Sequence, residues 1–161
     1  MSSRDLNKAT PKMREFAQKF IAECARRGIH IDITCVSRDI YEQTALYAQG
    51  RKTLEEVNAL RKIAGLPAIG KQDNSYSVTW TLNSLHVVNP HNNNPGDDLS
   101  RAIDFVVVNG KKYTWNLKAD INKNNIPDYE EIGKIAKEVD PSIIWGGSFK
   151  NKDYPHFQEK I

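Results

Sequence analysis

At 161 residues, 39% apolar and 27% charged, the chain is expected to form one soluble domain (residues 1–161), with no second domain following it. Its longest apolar run, residues 105–108, is far too short to cross a bilayer, and a formal charge of +3 neither demands nor excludes an anionic polymer as partner. The first twelve residues lack the apolar core of a secretory signal, so synthesis in the cytoplasm is expected and any action beyond the membrane needs another exit. Cys24 and Cys35 lack the spacing of a redox or zinc pair and read as small buried hydrophobes.

In chain order, Thr10 and Pro11 open a helix as N-cap and first-turn proline. Met13, Phe16, Phe20 and Cys24 share one face of it, and Arg26, Arg27 and Gly28 close it. The next stretch, IHIDITCVS, alternates Ile29, Ile31, Ile33 and Cys35 against polar neighbours, the period of a half-buried strand; His30 points away from its apolar face. Asp39 with Glu42, and Thr53 with Glu56, make capping-box patterns for two further helices, the second running to about residue 64. VTWTL alternates Val78, Trp80 and Leu82 and is predicted to be a strand leading to Ser84 and His86. AIDFVVV is strongly β-forming, and Asn109-Gly110 predicts a hairpin into KKYTW. Pro127 begins a fourth helix with Tyr129, Ile132, Ile135 and Val139 inward, and SIIW and YPHFQ close the chain as short strands. The class is α+β, a small antiparallel sheet flanked by helices.

Chemistry concentrates near strand ends. Asp104 lies in a segment apolar on both faces, where a carboxylate costs several kcal/mol unless it is paired or bound to a metal. His86, Asp104 and His156 each fall at or near the end of a predicted strand, so one sheet could converge them. Two imidazoles and a carboxylate leave zinc an open position for water. Asp153, three residues before His156, is then free to serve as general base. His91 sits among Pro90 and a run of asparagines and reads as a loop residue. Arg38 has two readings, surface residue or oxyanion stabiliser, between which the residues alone do not choose. In DINKNNIPDYEE, oxygen donors at Asp120, Asn122, Asn124, Asp128 and Glu131 match the spacing of a calcium loop, with Asn125 where glycine is usual. Pro127, Asp128, Glu130 and Glu131 equally suit an ordinary helix first turn.

Three blocks in order resemble the zinc peptidases that include D-alanyl-D-alanine carboxypeptidases and the phage L-alanyl-D-glutamate endopeptidases: SRDIYEQTALYAQGR, then SLH with SRAID, then WGGSFKNKDYPHF. The resemblance covers roughly residues 13–158. It implies the fold of that family (shared with hedgehog-like domains), zinc ligands His86, Asp104 and His156, Asp153 as general base, Arg38 polarising the scissile carbonyl, and Ser84 beside the substrate. Asp104 follows His86 by eighteen positions, about eleven more than the family's spacing, and Ser100 replaces its glycine. This insertion, residues 87–103, bears on cleft shape and bond specificity; loop length itself costs little.

The reading is therefore an endolysin-type zinc peptidase acting on the peptidoglycan stem peptide at the L-alanyl-D-glutamate bond. A D,D- or L,D-carboxypeptidase is the alternative within the family. The protein is expected to act as a monomer, without nucleic acid or membrane as partner and without a separate wall-binding domain. Its expected setting is bacteriophage lysis, with release through a holin-type hole. Rivals of other classes are an HNH-like nuclease using His86, His91 and Asn92 but not His156, and a non-catalytic wall- or calcium-binding module.

Overall fold

The computed structural model describes residues 2–88 and 98–160. Helix α1 (Pro11–Arg26) starts where Thr10 accepts a hydrogen bond from the Met13 amide and ends at Gly28, whose φ of +80° turns the chain back. Strand β1 (His30–Cys35) follows, then α2 (Ile40–Ala48), capped by Asp39, and α3 (Leu54–Ile63), capped by a reciprocal Thr53–Glu56 box. The second half supplies β2 (Ala102–Asn109), β3 (Lys112–Thr114), α4 (Asp128–Val139), β4 (Ile143–Trp145) and β5 (His156–Glu159).

All ladders are antiparallel, in the order β1-β2-β5-β4, with β3 on the end of β2. Because side chains alternate across a sheet, β2 separates two environments. Ile103, Phe105 and Val107 join Phe157 of β5 in the core with α1 and α4. Phe157 packs its ring 4.9 Å from Phe20, 5.2 Å from Phe105 and 5.3 Å from Phe16, and Phe105 reaches Tyr129 of α4 at 5.9 Å. Each such side chain contributes roughly 1.5–3 kcal/mol by leaving water, so this layer fixes the sheet on its helices. Asp104 and His156, the intervening residues, face the opposite side.

Two expectations are corrected. VTWTL forms no strand: Thr79 Oγ1 and the Thr81 carbonyl are held by the Gln43 side chain of α2, and Val78, Trp80 and Leu82 stand exposed. Alternation here reflects a strap with one face on α2 rather than a place in the sheet. The hairpin centres one residue later than its sequence suggests, because Asn109 pairs with Lys112, leaving Gly110 (φ +63°) and Lys111 in the turn.

Candidate active site

The register of three strands builds the centre. Asp104 pairs with Cys35 of β1 on one side and His156 of β5 on the other. His86 arrives from outside the sheet, on a short parallel bridge in which the Arg38 amide donates to the His86 carbonyl (2.8 Å) and the Val88 amide to the Arg38 carbonyl (3.0 Å). That bridge brings both Arg38 and His86 beside Asp104.

His86 Nε2 lies 3.1 Å from Asp104 Oδ1 and 3.3 Å from His156 Nδ1, and His156 Nδ1 lies 2.8 Å from the same carboxylate oxygen. The outward nitrogen of each ring is committed elsewhere. His86 Nδ1–H donates to the Val36 carbonyl (2.9 Å), and His156 Nε2–H donates to Gln158 Oε1 (3.0 Å). With those protons placed, neutral rings present only lone pairs inward, and three acceptors meet at one point with no hydrogen between them. Such a convergence requires a positive charge at its centre.

The titration of the pair says the same. Burial alone would lower the His86 pKa, but the Asp104 charge and its hydrogen bond outweigh this and carry it to about 10. Asp104 is held far below the ordinary carboxylate range although burial opposes it, because His86 and His156 stabilise its charge. Zinc suits the donor set. At metal–ligand distances of about 2.0–2.1 Å, the corners of a tetrahedron lie about 3.3 Å apart, close to the three separations here. The outer bonds to Val36 and Gln158 are those that fix a ligand histidine's tautomer.

Cys35, His86 and Asp104 also bring one donor atom each within 4.8 Å of one another. Cys35 Sγ, however, sits 3.7 Å from His86 Nδ1, the nitrogen already donating to Val36, at the edge of the ring away from Asp104 and His156. His156 completes the better set. It also argues against the nuclease reading, which needs His156 to stand apart. His91 and Asn92 of that reading lie outside the described residues.

The remaining groups line one cleft of about 640 Å³ with these three residues: Arg38, Ser84 and Asp153, together with Trp80, Trp115 and Lys152. Arg38 donates to Asp104 Oδ2 (3.2 Å) and to Gln43 Oε1 (3.2 Å), while its Nε is buried without a partner. Ser84 Oγ accepts from the His86 amide (3.3 Å). Asp153 opens to the cleft, yet enough protein crowds it that desolvation pushes its carboxyl above the usual range; His156 opposes the shift and Asp104 adds to it.

The WGG and DYPHF blocks are one device. Trp145 Nε1 donates to the Tyr154 carbonyl (2.8 Å) and the Asp153 amide to the Gly146 carbonyl (2.9 Å), closing the loop that delivers Asp153 and His156. A Cβ on Gly146 would stand 2.2 Å from the Asp153 carbonyl oxygen, so only glycine permits the approach.

His30 is exposed on β1 and Asp98 is exposed within the insertion, neither among the cleft residues. Asp120, Asn122, Asn124, Asp128 and Glu131 gather on the α4 approach, away from the cleft lining, and the similarities below say nothing for calcium. Gln43 lies in the SRDIYEQTALYAQGR block without a role assigned by the resemblance, and Trp80 and Trp115 belong to no motif. Gln43 is wholly buried inside a helix, and a buried amide that must find partners is the signal that marks it.

Residues 98–159 match a family model described as D-alanyl-D-alanine carboxypeptidase. Over 150 residues the chain is 29% identical to the peptidoglycan L-alanyl-D-glutamate endopeptidase CwlK of Bacillus subtilis (strain 168), an alignment covering 92% of this chain and 71% of that protein. Its fold is similar to that of the Serratia marcescens L-Ala D-Glu endopeptidase ChiX, with a TM-score of 0.56 and 15% identity over 99% of this chain and 89% of the other.

Proposed function

From its similarity to the D-alanyl-D-alanine carboxypeptidase family model and to the two endopeptidases, we propose that the chain belongs to that family and that its cleft is the active site of a zinc-dependent peptidase cutting the peptidoglycan stem peptide between L-alanine and D-glutamate. The observation that carries the reading is the convergence of His86 Nε2, Asp104 Oδ1 and His156 Nδ1 in a cleft that also holds Asp153 and Arg38. Zinc held by those three residues would supply the Lewis acid that makes a water nucleophilic near neutral pH.

The chain's own groups do the rest. Asp153, its carboxyl raised by burial, takes the proton of the attacking water and returns it to the leaving amine. Arg38, steadied by Asp104 and Gln43, donates to the carbonyl oxygen as it gains charge. Ser84 lies on the wall beside His86 and contacts the substrate backbone. The choice of the L-alanyl-D-glutamate bond follows the two relatives, both of which are named for it.

Digestion of purified muropeptides, followed by mass spectrometry, tests the bond. Expected products are a peptide with a new D-glutamate N-terminus and a muramyl fragment ending in L-alanine. Release of only a C-terminal D-alanine would replace the endopeptidase with a carboxypeptidase. No cleavage by zinc-loaded protein would overturn the reading.

A further inference from the structure

Away from the cleft, the approach to α4 collects three carboxylates that the proposed chemistry does not use. Asp120, Asn122, Asn124, Asp128 and Glu131 stand at the first, third, fifth, ninth and twelfth positions of one twelve-residue stretch. Among the described residues, none of Asp120, Asp128 and Glu131 forms an ion pair with a lysine or arginine.

Two oxygens of the group are left without partners. Asp128 is 0% exposed; one of its oxygens accepts from the Ile121 amide (2.9 Å), but Oδ1 has no hydrogen-bond partner. Asn122 Oδ1 is likewise buried and unpartnered. Orphaned buried acceptors are rare, because each loses its water without compensation. The Asn122 and Asn124 amide groups meanwhile both donate to Glu131 Oε2, at 3.1 and 2.7 Å. Two N–H donors thus occupy the place of a positive charge. A half-turn of the Asn124 amide exchanges its nitrogen for an oxygen and opens that place to a cation, while Asn122 keeps its nitrogen's bonds and offers the oxygen that has no partner.

The backbone is already bent for it. Asn124 and Asn125 amides donate to the two oxygens of Asp120 at 3.0 and 2.8 Å, and Asn125 holds φ +67° at the sixth position, where such loops usually carry glycine. Burial first, then the neighbouring Asp120 and Glu131 charges, hold the Asp128 carboxyl above its ordinary range. An added cation relieves that repulsion.

We propose that residues 120–131 bind one calcium ion through Asp120, Asn122, Asn124, the backbone carbonyl of residue 126 and Glu131, with Asp128 acting through a water. The spacing of Asp128 fits that indirect role, since the ninth ligand of such loops commonly reaches the metal this way. The ion serves the fold and not the chemistry. Asn122 also donates to the Arg27 carbonyl (3.0 Å) at the end of α1, so calcium would tie the end of α1 to the start of α4, the two helices that cover the core face of the sheet.

Calcium chloride titrated into zinc-loaded, calcium-free protein tests this by calorimetry and thermal melting. One ion per chain is expected, with a melting temperature about 5 °C or more higher at a hundredfold excess over Kd. Glu131→Gln and Asp120→Asn each keep an acceptor for the amides they now receive. Each should keep the zinc content and lose most of the calcium-dependent rise. If Glu131→Gln fails to fold, as judged by zinc content and circular dichroism, Asp120→Asn decides. No rise in the wild type at about 10 mM calcium, a full rise in the folded variants, or an equal rise with magnesium would each overturn the proposal.

Discussion

The two walls of the cleft are built by different means. On the sheet side, Asp104 and His156 are fixed by backbone register, with Phe105 and Phe157, their chain neighbours, locked into the core behind them. On the other side, the 79–81 strap hangs on one side chain, Gln43, which donates to Thr79 Oγ1 and the Thr81 carbonyl and also accepts from Arg38, whose guanidinium Asp104 holds as well. The first wall resists substitution at its surface because its geometry is a property of the whole sheet. The second concentrates its geometry in a single amide, so one substitution can move both the strap and the guanidinium.

The largest expected effect attacks the sheet side. His156→Ala or Asp104→Ala removes one of three inward donors and, in the first case, also the bond to Gln158. Zinc content should fall from one per chain to near zero and hydrolysis should become undetectable, while the folded circular dichroism spectrum survives in the His156 variant. Retention of both zinc and full activity would break the sheet-borne site.

Asp153→Asn comes next. It keeps the loop closed by backbone bonds, so zinc should remain while kcat drops by about 10²–10⁴-fold, the usual worth of a positioned base. The pH profile sharpens the assignment. A base must be ionised, and burial raises the Asp153 pKa, so the acid limb of kcat/KM should lie above the ordinary carboxylate value of 3.8. Activity is therefore lost as pH falls through that raised value, and zinc measured at the same pH separates this from loss of the metal. An acid limb unchanged in Asp153→Asn would assign the base elsewhere.

The smallest effect probes the strap. Gln43→Leu should lower kcat by about tenfold with zinc unchanged, and should cost less when Arg38 is already alanine, where only the strap is left to move, because neighbouring groups in one network are not additive. Equal losses in both backgrounds would make Gln43 a part of the fold alone.

The two walls also differ in how far the sequence reveals them. Alternation through AIDFVVV marks Asp104 as a carboxylate where apolar residues belong, and a strand period states which neighbours share its face. Where register does the work, residues distant in sequence can be expected to meet. The strap obeys the same period without being a strand: Val78, Trp80 and Leu82 alternate because their neighbours face α2. Only the partner's position separates the two cases, and that is a tertiary fact. The burial of Gln43 was hidden for the same reason, since a glutamine in a helix gives no local sign of it. The value of Gly146 is similarly spatial, set by a carbonyl 2.2 Å from a Cβ that is not there.

X-ray absorption at the zinc edge tests the central claim most directly. His86, Asp104, His156 and a solvent oxygen predict a first shell of nitrogen and oxygen only, at about 2.0–2.1 Å, with the outer-shell signature of two imidazoles. A sulfur scatterer at about 2.3 Å would put Cys35 in the shell, and would contradict a ring orientation in which His86 Nδ1 is already bound to Val36.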